Sequence, residues 1–229
     1  MVTTTSKREL SKIKKRNAII DAAERVFFKK GMHQATMDDV TQEAKFSKAT
    51  VYAYFNSKDE LFLAIGMRGK DILVKMFKEA VSKREKGVDK VRAIGLTYFE
   101  FAEKHPNYYR FIAYLMSRDD LDISEEQEIQ MLEMDKMMVE SIKIGIEDGS
   151  LKKGLDAEVI SKCFWAMGIG ALQMLFQKGK HLQEHFSISK EAFITTFFVL
   201  AEESLVSQSM FSENVRINEQ YQQAKAKGK

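Results

Sequence analysis

Three helix starts crowd into residues 36–57, and this crowding constrains the fold more than any other feature of the chain. Thr36-Met37-Asp38-Asp39 places an N-cap hydroxyl before two acids in a first helical turn. Ser47 opens a second segment that ends near Tyr54. Ser57-Lys58-Asp59-Glu60 is a full capping box, in which Glu60 is expected to reach back to the Ser57 amide. The chain therefore makes two very short helices followed by a long one. Helices of one or two turns do not persist alone, so these two need a packing partner. The preceding stretch supplies it: Ile13, Ile19, Ile20, Ala23, Val26 and Phe27 recur at helical spacing, and Gly31 stops the helix in αL geometry after Lys29 and Lys30. Helices over 37–44 and 48–54, joined by a three-residue turn, have helix-turn-helix spacing. Val40, Ala44, Phe46, Val51 and Phe55 are expected to face inward, leaving Lys48, Ala49, Thr50, Tyr52 and Tyr54 outward. Lysine, threonine and alanine suit base edges in a major groove, whereas tyrosine hydroxyls and lysines reach phosphates.

Downstream the elements lengthen. Helices are expected over 58–84, 89–105, 107–117, 125–148, 156–178 and 189–210. Gly87, Pro106, Gly149 and Gly179 separate them, and Ser124, Asp156 and Ser189 serve as caps. No stretch alternates like a strand, so the chain reads as all-α with about nine helices. The spacing gives an arm and helix-turn-helix domain at 1–57, a helical body at 58–211 and a polar tail at 212–229. The single cysteine among 229 residues argues against a disulfide scaffold, and the first seventeen residues hold no apolar signal core. The longest nearly apolar run, Cys163 to Phe176, is shorter than the roughly 18 residues of a membrane span, so a cytoplasmic protein is expected. The net charge of +3 hides an uneven distribution. The first 30 residues carry 9 basic and 3 acidic side chains, whereas 121–180 carry 7 and 11. A basic N-terminus is where a nucleic-acid surface could form.

The residues Ala18 through Phe27, then Gly31, Thr36, Val40, Ala44, Ser47 and Thr50-Val51-Tyr52-Ala53-Tyr54-Phe55, followed by Ser57-Lys58-Asp59-Glu60-Leu61, resemble the tetracycline-repressor (TetR) family of transcriptional regulators. The resemblance implies that Ser47 to Tyr54 form a recognition helix, with Lys48, Ala49 and Thr50 reading bases. It implies phosphate contacts from Thr36, Tyr52, Tyr54 and Lys58, flanked by Lys12, Lys14, Lys15 and Arg16. Two positions depart from the family pattern. Lys45 stands where glycine is usual in the turn, so it either adopts αL geometry at a cost of about a kcal/mol or alters the turn, and it could itself add a phosphate contact. Thr41 stands where alanine is usual and could loosen the packing of the short helices.

The family pattern also implies a regulatory domain that dimerises through its last two helices. Phe193, Phe197, Phe198 and Leu200 would supply one such surface, and two-fold symmetry would give a pseudo-palindromic operator. The domain would enclose a small apolar effector, for which Tyr98, Phe99, Phe111, Tyr114, Met131, Met134, Met138, Trp165 and Met167 are the candidates. The expected function is a repressor, not an enzyme, and no cofactor motif is seen. Two alternatives belong to other classes. His181-Leu182-Gln183-Glu184-His185 matches a zinc-hydrolase pattern, in an expected loop, with His181 and His185 as ligands and Glu184 as base. A helical lipid carrier that has lost DNA binding is the other. Cys163, beside Phe164 and Trp165, reads as buried core.

Overall fold

The computed structural model describes residues 6–121 and 123–206, apart from the side chains of Glu126, Gln130 and Met131. Nine helices run through these residues: α1 (Lys7–Lys30), α2 (Met37–Ala44), α3 (Lys48–Tyr52), α4 (Lys58–Ser82), α5 (Gly87–Lys104), α6 (Pro106–Met116), α7 (Glu125–Glu147), α8 (Ala157–Phe186) and α9 (Lys190–Leu205). Among the described residues the only β-type pairing is an antiparallel bridge between Leu151 and Val206. The expected tail and the expected helix end at Met210 lie outside the described residues. The chain forms two compact units. One holds α1–α3, α6 and α4 as far as Ile72; the other holds the rest of α4 with α5 and α7–α9.

In the first unit, α1 presents Ile19, Ile20, Ala23, Val26 and Phe27 to Val40 of α2, Val51 of α3, Phe55, and Leu61, Phe62 and Ile65 of α4. Val40 and Val51 are wholly enclosed, each the one buried residue of its short helix. Burying such a side chain is worth roughly 1.5–3 kcal/mol, which is what holds helices too short to persist alone. Phe62 packs edge-on against Phe27 at 4.9 Å and against Phe111 of α6 at 5.4 Å. Polar contacts join the same helices. The Arg68 guanidinium donates to Asp21 at 2.6 Å and to the Asn17 carbonyl at 3.3 Å, and pairs with Glu24 at 3.2 Å. The Tyr108 hydroxyl donates to Glu24 at 3.0 Å. Burial, then the Glu24 charge, pushes the Tyr108 phenol up to about 12.

The start of α1 differs from expectation. A capping box of Ser6 with Glu9 launches the helix, and every residue from Lys7 to Asn17 is exposed. Ile13 is therefore 51% exposed instead of joining the inward stripe. Gly31 ends the helix at φ +84, ψ 158, a positive-φ geometry outside the αL well that glycine alone adopts cheaply.

In the second unit, Gly87 starts α5 instead of closing α4. A Cβ there would lie 2.0 Å from the Gly145 nitrogen, so only glycine lets α5 approach α7. Its amide donates to Asp148 at 2.7 Å, and the Val88 amide donates to the Ser150 hydroxyl at 3.1 Å. Gly179 does not stop α8, which continues to Phe186. One interior glycine costs only about 1 kcal/mol, and Gln177, Lys178, Lys180 and Leu182 around it are good helix formers. The stop is Ser187 in αL geometry, with the Ile188 amide donating to the Leu182 carbonyl at 3.1 Å. Cys163 is exposed, not buried. At 3.6 residues per turn, α8 directs Phe164 and Trp165 inward and Cys163 outward. The outward face also carries Val159, Met167 and Met174, and α9 exposes Leu200. By length and composition, α8 is apolar enough to cross a membrane.

Candidate functional site

The helix-turn-helix is assembled from its caps. The Thr36 hydroxyl accepts the Asp39 amide at 3.2 Å, and the Asp39 carboxylate accepts the Thr36 amide at 3.0 Å. This is a complete capping box, in which the Thr36 hydroxyl keeps its own proton to donate. Acids at this helix start would repel phosphate, but each has a lysine. Lys30 donates to Asp39 at 2.6 Å, and Lys48 pairs with Asp38 at 2.7 Å. The Lys30 hydrogen bond, then those from the Thr36 amide and hydroxyl, hold Asp39 down at about 2. The hydrogen bond to Asp38 holds Lys48 above the ordinary lysine value.

The turn follows the first alternative for Lys45. The residue sits in αL at φ 56, ψ 32, with its side chain exposed. Thr41 does not leave its hydroxyl unsatisfied, because the group donates to the Met37 carbonyl at 2.9 Å within α2 itself. The Ser47 hydroxyl accepts the Thr50 amide at 3.1 Å and lies 2.8 Å from the Thr50 hydroxyl. Lys48 and Ala49 are exposed, Thr50 is half-buried, and Tyr52 is 37% exposed beneath the Lys48 ammonium, 6.0 Å from its ring centre.

Three placements depart from expectation. The helix α3 ends at Tyr52, and Tyr54 packs partly against the unit's core instead of pointing outward. Glu60 reaches past Ser57 to the Asn56 amide at 2.9 Å, while the Ser57 hydroxyl accepts the Glu60 amide at 3.2 Å. The Lys58 ammonium donates to the carbonyls of Ala35 at 3.0 Å and His33 at 3.4 Å, above the Phe62 ring. It is a structural tie between the start of α4 and the loop before α2. Of the basic arm, Lys12, Lys14 and Lys15 are exposed, and the Arg16 guanidinium lies 5.1 Å over the Phe55 ring.

The second unit contains a cavity of about 50 Å³ with an almost wholly apolar lining. Of the residues expected to bind an effector, Tyr98, Phe99, Met138 and Trp165 line it. Phe111, Tyr114, Met134 and Met167 do not. Phe111 and Tyr114 pack around Phe62 in the aromatic core of the first unit, because α6 folds there. Met134 is buried outside the lining, and Met167 is 43% exposed on the outer face of α8. Met131 is a residue whose side chain lies outside those described. One wall comes instead from α9: Phe197, Phe198 and Glu202. Both phenylalanines stack on Phe99, at 5.4 and 5.3 Å. The family resemblance implies an interface role for these two; apolar spacing by itself does not say which side of a helix is covered. Arg92 at the cavity is paired with Glu202 through two nitrogens and with Asp89 at 3.1 Å. No local pattern links residues 110 positions apart.

The zinc-hydrolase alternative meets a different geometry from the expected loop. His181 and His185 lie one turn apart on α8, both exposed, with ring centres 4.4 Å apart. Glu184 faces Lys180 at 3.6 Å. Among the described residues no three metal-binding side chains converge.

Residues 19–65 match the family model of bacterial regulatory proteins, tetR family. The HTH-type transcriptional activator FasR of Mycolicibacterium smegmatis is 34% identical over 45% of this chain and 47% of its own length. The chain thus spans about half of that relative. The HTH-type transcriptional repressor KstR2 of Mycobacterium tuberculosis is 22% identical over 64% of this chain and 74% of its own length. Among solved structures, FadR of Bacillus subtilis in complex with stearoyl-CoA is similar at a TM-score of 0.63 and 16% identity, covering 81% of this chain and 95% of that one. A protein from Rhodococcus sp. RHA1 reaches 0.68 at 18% identity, over 84% and 96%. At these identities the solved structures support the fold alone. Neither the hydrolase nor the lipid carrier without DNA binding finds support among these relatives.

Proposed function

We propose, from the premise that this chain belongs to the tetR family of bacterial regulatory proteins, that it is a sequence-specific DNA-binding transcriptional regulator acting as a cytoplasmic repressor. The observation that carries this reading is the outer face of α3: Lys48, Ala49 and Thr50 stand on a short helix fixed from behind by the enclosed Val51 and Phe55. A rigid helix with short and basic side chains suits a major groove. Thr36, Lys45, Ser47, Tyr52 and Lys58 form the phosphate-binding rim around it. Lys48 must exchange Asp38 for a base or phosphate on binding. That exchange costs little, because both side chains are mostly exposed.

The active form is a homodimer. The apolar outer face of α8 and α9, with Val159, Met167, Met174 and Leu200, needs a cover, and a second copy provides it by two-fold symmetry. The dimer presents two copies of α3 to a pseudo-palindromic operator. An apolar effector entering the cavity of the second unit favours a dimer conformation that no longer fits this operator. To do so it must bind the released conformation more tightly. The chain has no catalytic role in this reading.

The test is binding of the full chain to the DNA upstream of its own gene, by fluorescence anisotropy across a salt series. A specific complex that weakens steeply with salt is expected, with Thr50→Ala changing the preferred sequence. Equal affinity for any sequence would sink the proposal. FasR, the relative at 34% identity, is an activator, and a promoter fusion in cells with and without the protein decides the sign of regulation.

A further inference from the structure

Two enclosed polar atoms on α8 have no hydrogen-bond partner: the Trp165 indole Nε1 and the Ser161 hydroxyl. Among the described residues they are the buried side-chain polar atoms left in this state. They sit one turn apart, at i and i+4, so they share a face of the helix. Trp165 lines the apolar cavity with other atoms of its ring while its Nε1 is enclosed, and Ser161, outside the lining, is wholly enclosed one turn away, so a ligand reaches the pair only when the wall yields. An unpartnered buried donor costs about 1–3 kcal/mol, so native structures keep such groups rarely and for a reason. An indole nitrogen only donates. What would complete it is therefore an acceptor.

Charge at the same cavity restricts that acceptor further. Arg92 is the lining cation, but Glu202 already binds it through two nitrogens, and Asp89 takes a third at 3.1 Å. One positive charge against two negative ones leaves no attraction for an anion. A carboxylate entering here would have to compete with Glu202 and Asp89 for the one guanidinium, beside a mainly apolar lining. Space adds a condition. At about 50 Å³ the cavity is smaller than the 150 Å³ that holds benzene in engineered cores, so a ligand must push back a wall. The aromatic pair Phe197 and Phe198 on α9 forms that wall against Phe99.

We infer that the effector is a neutral, apolar molecule carrying a hydrogen-bond acceptor such as a ketone, ester or amide oxygen, held by Trp165 with Ser161 beside it, and that free carboxylates are excluded by Glu202. This rests on the reading of the cavity as an effector site, and it names the effector's class.

The test is calorimetric titration of the full chain with three size-matched probes: propiophenone, propylbenzene and phenylacetate. The ketone should bind about ten-fold more tightly than the hydrocarbon, as a net hydrogen bond allows, and the carboxylate should bind most weakly. Trp165 is the one tryptophan of the chain, so the ketone should also perturb its fluorescence. In Trp165→Phe the ketone should lose its advantage over propylbenzene, the ratio of the two affinities within that one variant being the readout. In Glu202→Gln the carboxylate should gain affinity. Equal binding of ketone and hydrocarbon by the unmodified chain overturns the polar handle. Tighter binding of phenylacetate overturns the charge argument. Failure of all three probes to bind overturns the effector-site reading itself, which is a separate outcome from either.

Discussion

The Lys58 ammonium donates to the Ala35 carbonyl at 3.0 Å, tying the first turn of α4 to the loop that enters α2 across 23 positions of sequence. The Ala35 residue is 1% exposed, so this carbonyl has little access to water as a substitute. Lys58→Met keeps the aliphatic stem and removes the donor. It should destabilise the first unit by about 1–3 kcal/mol in urea unfolding. DNA binding should weaken alike for all sequences. A changed sequence preference would assign Lys58 to base reading instead.

Lys45 stands in αL geometry, which a side chain with a Cβ adopts at a cost of about 1–2 kcal/mol. Lys45→Gly should raise thermal stability by a few degrees, part of the gain being offset by the greater freedom of glycine in the unfolded chain. If Lys45 also touches a phosphate, the salt dependence of DNA binding should flatten by about one contact. Thermal scans and a salt series on the same variant separate the two effects.

Asp39 has its pKa lowered to about 2, first by Lys30 and then by Thr36. A depressed carboxylate stabilises the fold above its unfolded value near 3.8, and that contribution disappears as pH falls through about 2. Unfolding of the first unit should therefore steepen between about pH 4 and pH 2. Asp39→Asn should be less stable at neutral pH and show a shallower acid limb there. An unchanged acid limb would remove Asp39 from the account.

Leu200 is 61% exposed on α9, on the surface proposed above to be covered by a second copy. Leu200→Lys should weaken self-association by roughly 30-fold, the equivalent of about 2 kcal/mol at an interface position. Sedimentation should show monomer, and operator affinity should fall with it. A variant that remains dimeric would move the interface elsewhere.

Caps and spacing made the helix order readable from sequence, because an N-cap hydroxyl and a capping acid act within three or four residues. Thr36, Ser47, Ser124, Asp156 and Ser189 all cap as their neighbours predict. The inward role of Val40, Val51 and Phe55 was equally legible, since packing on a short helix leaves only one side for apolar groups. The tertiary structure decided what depends on partners far along the chain. It took Phe111 and Tyr114 out of the cavity by packing α6 in the first unit, and it turned Phe197 and Phe198 into a cavity wall. It joined Lys58 to Ala35 and Arg92 to Glu202. Gly179 shows the limit from the local side: a stop signal worth about 1 kcal/mol loses to a helix already committed to continue. Helical period reveals that a residue has an inner face, but only the folded chain determines which neighbour occupies it.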